Sequence, residues 1–262
     1  MNKKVLLGFV IAFLVIGAVA MAGCTGTDNE KTYIIGVDVT YPPYAMVEDG
    51  QYTGFDVEAA KWVAEKEGIK VDFMTIDWDA LTTYLSGDKC DMIWSGLSVT
   101  ESRKAHMDFS KAYDEVQMGV ASKKGSDVTL EQVMNGEAVI GVQAGCSAEE
   151  SLQLLFGADK FKQLVDSKKI VNTYPGFTDS MNDLKIGRTQ AVVFDDAGIK
   201  EQIAQNPNDF VYLGILEGAP EALAVGVKKG NTELLKIIND GITKLMADPY
   251  WEELNAKYFP QE

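Results

Sequence analysis

Apolar positions along this chain follow two periods that take turns. Tyr33 to Val37 is a short continuous run of the kind that forms a buried strand. In the next segment Val57, Ala60, Val63 and Ala64 make one helical stripe, with Glu58, Lys61 and Glu65 opposite. Asp56 stands where it would cap this helix, which the pattern carries to about Glu67. A strand at Val71 to Ile76, a helix from about Trp78 to Leu85 ending at Gly87, and a strand at Asp91 to Trp94 come next. After Ser110 the rhythm pauses, and Val116 to Ser122 reads as one long extended segment. Strand and helix units then resume at Ala138 to Val142, Ala148 to Phe156, Ile170 to Tyr174, Thr178 to Ile186 and Gln190 to Phe194. The chain closes with a strand at Ala222 to Val227 and helices at Asn231 to Met246 and Tyr250 to Tyr258. Such alternation predicts an α/β protein with parallel strands covered by helices.

The pattern contains an internal echo. Leu85-x-Gly87 leads through a strand to Ser95, and Leu184-x-x-Gly187 leads through a strand to Asp195. Each polar residue stands eight positions after its glycine, at the carboxyl end of a strand. Ligands of open α/β sheets bind outside those ends, so two half-sites facing each other across a cleft are expected.

The residues around these strand ends suit a small charged ligand. In Ser95-Gly96-Leu97-Ser98-Val99-Thr100-Glu101-Ser102-Arg103, a loop lets the backbone approach at Gly96, and Thr100 caps a new helix. Free N–H groups at that helix start favour an anion, and Arg103 carries the fork that fits a carboxylate. Asp195 supplies the opposite charge. Together they would complement the two charges of a free amino acid. A third cluster, Asp38-Val39-Thr40-Tyr41-Pro42-Pro43-Tyr44, follows the first strand. Tyr41 and Trp78 are candidate aromatic walls around a side chain whose polar or positive tip would meet Asp38. Gln143-Ala144-Gly145-Cys146-Ser147 precedes a helix with the spacing of a capping box, Ser147-x-x-Glu150, and offers further polar contacts.

Composition narrows the class. The formal net charge is −15, which disfavours a phosphate backbone as partner and argues against nucleic acid. The single histidine, His106, argues against a Ser-His-Asp site or a multi-histidine metal site, and no metal or cofactor is expected. The three cysteines show no zinc or redox spacing. Cys90 reads as a small buried residue, and whether it ever meets Cys146 stays open.

The N-terminus changes the setting. Lys3 and Lys4 precede an apolar run from Val5 to Ala22, closed by Met21-Ala22-Gly23-Cys24. This describes an export signal over residues 1–23. The final residues resemble a lipobox, in which Cys24 is lipidated and begins the mature chain, with residues 24–31 as a polar linker. The other reading is an uncleaved membrane helix, since the run is about as long as a bilayer requires. Either way the globular part is expected outside the cell, as a lipoprotein on the outer face of the cytoplasmic membrane or in the periplasm.

Taken in order, Gly36-Val37-Asp38 to Tyr44, Gly54-Phe55-Asp56-Val57-Glu58, Trp94 to Arg103, Asp108-Phe109-Ser110, Gly141 to Ser147, Leu184 to Asp195 and Lys257-Tyr258-Phe259 resemble the polar amino-acid solute-binding proteins of ABC importers, family 3. The resemblance runs from Tyr33 to Phe259. It implies a two-lobed periplasmic binding protein type II-like fold with two crossover hinge strands. Residues 32–114 plus 216–262 would form the discontinuous first lobe, and residues 115–215 the second lobe with its connections. It also implies roles. Arg103, helped by Ser98, would clamp an α-carboxylate, and Asp195 with the backbone around Gly96 would take the α-ammonium. Asp38, Tyr41 and Trp78 would surround the side chain. Gln143 falls at a specificity position, and Cys146 and Ser147 fall where Ser, Thr or Gly is common. The expected ligand is a basic amino acid such as arginine, lysine or histidine, with glutamine next. The expected partners are an ABC permease and the membrane, with the chain itself a monomer. The same fold in a cyclohexadienyl dehydratase-like enzyme is the alternative; it would need a carboxyl acid poised in the cleft. A receptor ligand domain would need inserted membrane helices, which the sequence between the lobe segments lacks.

Overall fold

The computed structural model describes residues 31–218 and 220–260. The apolar N-terminal run, Cys24 and the linker up to Glu30 lie outside the described residues. Strand β1 (Thr32–Val37) leads through a hairpin of β2 (Met46–Glu48) and β3 (Gln51–Thr53) into helix α1 (Phe55–Glu67). Strand β4 (Lys70–Thr75), a single 3₁₀ turn at Trp78–Ala80, helix α2 (Leu81–Ser86) and strand β5 (Met92–Ile93) follow. One further turn of helix, α3 (Glu101–Lys104), and strand β6 (Met107–Phe109) complete this part.

The chain then crosses over on β7 (Asp114–Val116) and continues as β8 (Met118–Lys123). The segment expected as one extended stretch is therefore two strands in different sheets. Next come α4 (Leu130–Met134), β9 (Ile140–Gln143), α5 (Ser147–Phe156), α6 (Ala158–Asp166), β10 (Ile170–Tyr174), α7 (Phe177–Lys185), β11 (Ala191–Asp195), α8 (Asp196–Gln205) and β12 (Phe210–Ile215). The return crossing is β13 (Glu221–Leu223), paired antiparallel with β7 from Glu221↔Val116 to Leu223↔Asp114. Strand β14 (Gly226–Lys228) and helices α9 (Thr232–Ala247) and α10 (Pro249–Tyr258) end the described chain.

Two five-stranded sheets result, in the orders β4-β1-β5-β14-β6 and β10-β9-β11-β8-β12. In each, the first three strands are parallel and the fourth runs antiparallel to both neighbours. The echo in the sequence is thus an echo of topology, one sheet per lobe. Strands β1 and β5 bury Ile35, Val37, Met92 and Ile93, and β9 and β11 bury Ile140, Val142, Val192 and Val193. Each such side chain contributes roughly 1.5–3 kcal/mol on leaving water. That is why these short runs are continuous rather than alternating.

Two local expectations are corrected. Asp56 does not cap α1: Gly54 holds the cap position, and Asp56 is a fully buried second residue of the helix. Its carboxylate accepts instead from the Gly96 N–H at 2.5 Å and the Tyr113 hydroxyl at 2.8 Å. Nor does Ser147 open a capping box. Cys146 is the cap residue of α5 with no side-chain cap, and the Ser147 hydroxyl turns to Ser98 of the other lobe at 3.2 Å. In both cases a partner distant in sequence took the polar group that local spacing had assigned to the helix start. Asp196 begins α8, where its charge suits the helix dipole.

Candidate functional site

The carboxyl ends of β1, β5, β9 and β11 converge on a cavity of about 10 Å³, lined by Asp38, Tyr41, Trp78, Gly96, Ser98, Arg103, Gln143, Cys146, Ser147, Phe194 and Asp195. Ten of the eleven ligand candidates read from the sequence meet here. The exception is Ser95, which is buried behind the wall, where its hydroxyl accepts from the Asp38 N–H at 3.0 Å. Ser95 therefore sets the backbone from which Asp38 projects. Phe194 is the residue the sequence reading missed. It looks like one more apolar strand position, and only its stacking on Phe177 (centroids 4.0 Å apart) and its edge contact with Tyr41 (4.8 Å) bring it to the wall.

Arg103 lies 7% exposed on the short helix α3, which Thr100 caps by accepting from the Arg103 N–H at 3.4 Å. The guanidinium donates to the Ser98 carbonyl at 2.9 Å and, across the cleft, to the Gly145 carbonyl at 3.0 Å. Its carbon sits 5.5 Å from the centre of the Trp78 ring. Trp78 thus lines the cavity and also serves as a platform under Arg103. No described carboxylate lies within ion-pair distance of Arg103, and burial holds its pKa below the usual arginine value. A buried cation in this state is a strong site for an anion with two oxygens.

The Gly96 N–H donates to the Asp56 carboxylate, which fixes the loop after β5. Gly96 has φ +55°, and a Cβ there would stand 2.3 Å from Tyr41 Cε1. Glycine is required at this position by both conformation and space.

Asp195, on the opposite strand end, is 4% exposed and accepts from the Tyr41 hydroxyl. Burial raises its pKa to about 7, partly countered by that hydrogen bond. One carboxylate oxygen is used by Tyr41, leaving the other for a cationic donor. Asp38 is likewise raised by burial. Its Oδ1 accepts from the Thr40 N–H and hydroxyl at 2.8 and 2.7 Å, and its Oδ2 from Gln143 Nε2 at 2.6 Å. Gln143 Oε1 is buried with no hydrogen-bond partner. A bare acceptor beside a carboxylate favours a ligand tip that donates hydrogen bonds. Cys146 is not reactive here, since burial raises its thiol pKa to about 12. Cys90 and Cys146 are both free and buried.

Tyr41–Asp195, Asp38–Gln143 and Ser98–Ser147 all bridge the two lobes. The cavity itself has room for about one water. Anything larger must part the lobes and take over some of these bonds. Outward, Arg103, Cys146 and Ser147 also line a groove of about 700 Å³ between α3 and α5, which opens beside the cavity.

Comparison with known proteins gives the family and the fold. Residues 33–261 match the family model of bacterial extracellular solute-binding proteins, family 3. The L-cystine-binding protein TcyJ of Escherichia coli strain K12 is 28% identical over 99% of this chain and 96% of its own. The arginine-binding extracellular protein ArtP of Bacillus subtilis is also 28% identical, over the whole of both chains. An ancestral arginine-binding protein solved with arginine superposes with a TM-score of 0.77 at 31% identity, covering 87% of this chain and 98% of that one. Paired α/β lobes, crossed twice by the chain and closed over buried charges of both signs, thus occur here in a member of the bacterial extracellular solute-binding proteins, family 3.

Proposed function

We propose that this protein captures a free L-amino acid whose side chain ends in hydrogen-bond donors, arginine, lysine or histidine first and glutamine next, and delivers it to an ABC permease. The observation that carries this reading is the pair of buried opposite charges, Arg103 from one lobe and Asp195 from the other, on the wall of one cavity. Arg103 and Ser98 hold the α-carboxylate, and Asp195 holds the α-ammonium. Asp38 and the free Oε1 of Gln143 receive the side-chain tip. No second cation lines the cavity among the described residues, which disfavours a dicarboxylic amino acid. Relatives at equal identity are named for cystine and for arginine, so overall similarity does not choose the ligand. The choice rests on the Asp38–Gln143 pair.

In this reading the ligand leaves chemically unchanged. Binding stabilises the closed arrangement because the ligand touches both lobes at once. The lobes exchange near residues 114–115 and 215–216, with β7 and β13 as hinges. Residues 1–23 act as an export signal and Cys24 carries the lipid anchor. Cys24→Ser should then release the exported chain from the membrane fraction.

A thermal-shift and calorimetric screen of the common amino acids tests the function. Ligand at one hundred times its Kd should stabilise by about 2.7 kcal/mol. No response to any amino acid, or turnover of a prephenate-like acid in its place, would overturn the reading.

A further inference from the structure

At the start of helix α7 the Asp179 carboxylate accepts from the Gly176 N–H at 3.1 Å, but no side chain of the helix itself takes the N–H of its first residue. Its cap residue is Gly176, and the first N–H of the helix, that of Phe177, donates at 3.1 Å to the hydroxyl of Thr40 in the other lobe. Thr40 comes so close because residue 176 has no side chain. A Cβ there would stand 2.7 Å from both Thr40 Oγ1 and Thr40 Cγ2. The same hydroxyl donates to Asp38 Oδ1 at 2.7 Å, while Asp38 Oδ2 accepts from Gln143. Gln143 Nε2 reaches back to the Pro175 carbonyl at 3.3 Å, on the turn that leads into α7. Lobe 1 thus caps a lobe 2 helix in trans, and one carboxylate joins that cap to the cavity wall. Thr40 does not line the cavity.

We infer that Thr40 is a closure latch: its hydroxyl caps α7 only when the lobes are together, and so sets how long a bound amino acid is retained without touching it. A contact made only in the closed state slows opening and leaves the encounter with the open state unaffected, so its loss appears in the dissociation rate. Removing one partner leaves a helix N–H unsatisfied at the closed interface. The inference rests on the amino-acid-binding reading for its kinetic consequence, but the cap itself does not.

The test uses the exported chain in T40V and T40S forms, with stopped-flow release of L-arginine followed by tryptophan fluorescence. T40V, which keeps the shape and loses the hydroxyl, should release arginine five- to tenfold faster with association within twofold of wild type, and T40S should behave like wild type. G176A, which drives a methyl into Thr40, should reproduce the faster release. Release from T40V at the wild-type rate, or equal defects in T40V and T40S, overturns the latch. If the wild-type chain binds no arginine, the ligand reading is what suffers, and amide exchange at Phe177 then decides the latch. Exchange at least fivefold faster in T40V than in wild type supports the trans cap; equal exchange overturns it.

Discussion

The Tyr41 hydroxyl donates to the Asp195 carboxylate across the cleft, between residues 154 positions apart in the chain. Both line the cavity, and each lobe contributes one. Asp195 is thereby kept available as an acceptor despite burial, because the phenol offsets part of the desolvation that raises its pKa to about 7.

The pH dependence of binding follows from that value. An ammonium group binds the ionised carboxylate, and a pKa near 7 leaves Asp195 part protonated at neutrality. Affinity should rise with pH through about 7 and level off above it, weakening by up to about tenfold for each pH step of one on the acid side. Calorimetry at pH 5.5 and pH 8 in buffers of different ionisation enthalpy should show proton release on binding at the lower pH. A pH-independent Kd across this range would contradict the role given to Asp195.

Arg103→Ala removes the buried guanidinium and its bonds to the Ser98 and Gly145 carbonyls. Truncating one partner of a desolvated charge pair costs about 2–5 kcal/mol of binding. Titration should find ligand affinity lost or reduced by more than thirtyfold, with the fold intact by circular dichroism. Arg103→Lys should fail nearly as badly, since a lysine cannot supply two parallel donors.

Asp56 concerns stability rather than ligand contact. Burial raises its pKa to about 7, above its unfolded value, so the folded state favours the protonated form. Its contribution is full at low pH and is lost as pH rises towards and through about 7. A folded-state pKa higher by one than the unfolded value is worth about 1.4 kcal/mol. The unliganded protein should gain stability between pH 8 and pH 5, and Asp56→Asn should flatten that slope in denaturant titrations. An unchanged slope would mean that Asp56 stays ionised.

Gly96→Ala places a methyl where the Tyr41 ring lies and imposes a left-handed backbone on alanine. Overpacking of this kind costs about 1–3 kcal/mol, and the displaced Tyr41 would lose its grip on Asp195. Both the midpoint of unfolding and amino-acid affinity should fall together. A variant that loses stability alone would separate the Gly96 loop from binding.

Much of the architecture is written in local pattern. Alternation of short apolar runs with helical stripes predicted parallel strands covered by helices, because a run buried on both faces needs helices to cover it. The repeated Leu-Gly-strand-polar spacing marked two strand ends, and the residue types at Asp38, Arg103 and Asp195 named the charges a ligand would meet. Local pattern went astray where polar side chains had two possible partners. Asp56 and Ser147 both fit a capping rule within their own helices, yet each went to a group in a distant segment, Gly96 and Ser98. Ser95 and Asp195 occupy equivalent places in the echo, but one props up the Asp38 backbone and the other faces the cavity. Trp78 turned beneath Arg103, Phe194 joined the wall, and Thr40 reached across to cap α7. The elements, their order and the stock of charges were legible in the chain alone, since they depend on neighbours within a few residues. Which atoms meet in the cleft was settled only when two separately folded sheets closed on each other, because a hydrogen bond between lobes depends on angstrom-scale placement that no periodicity records.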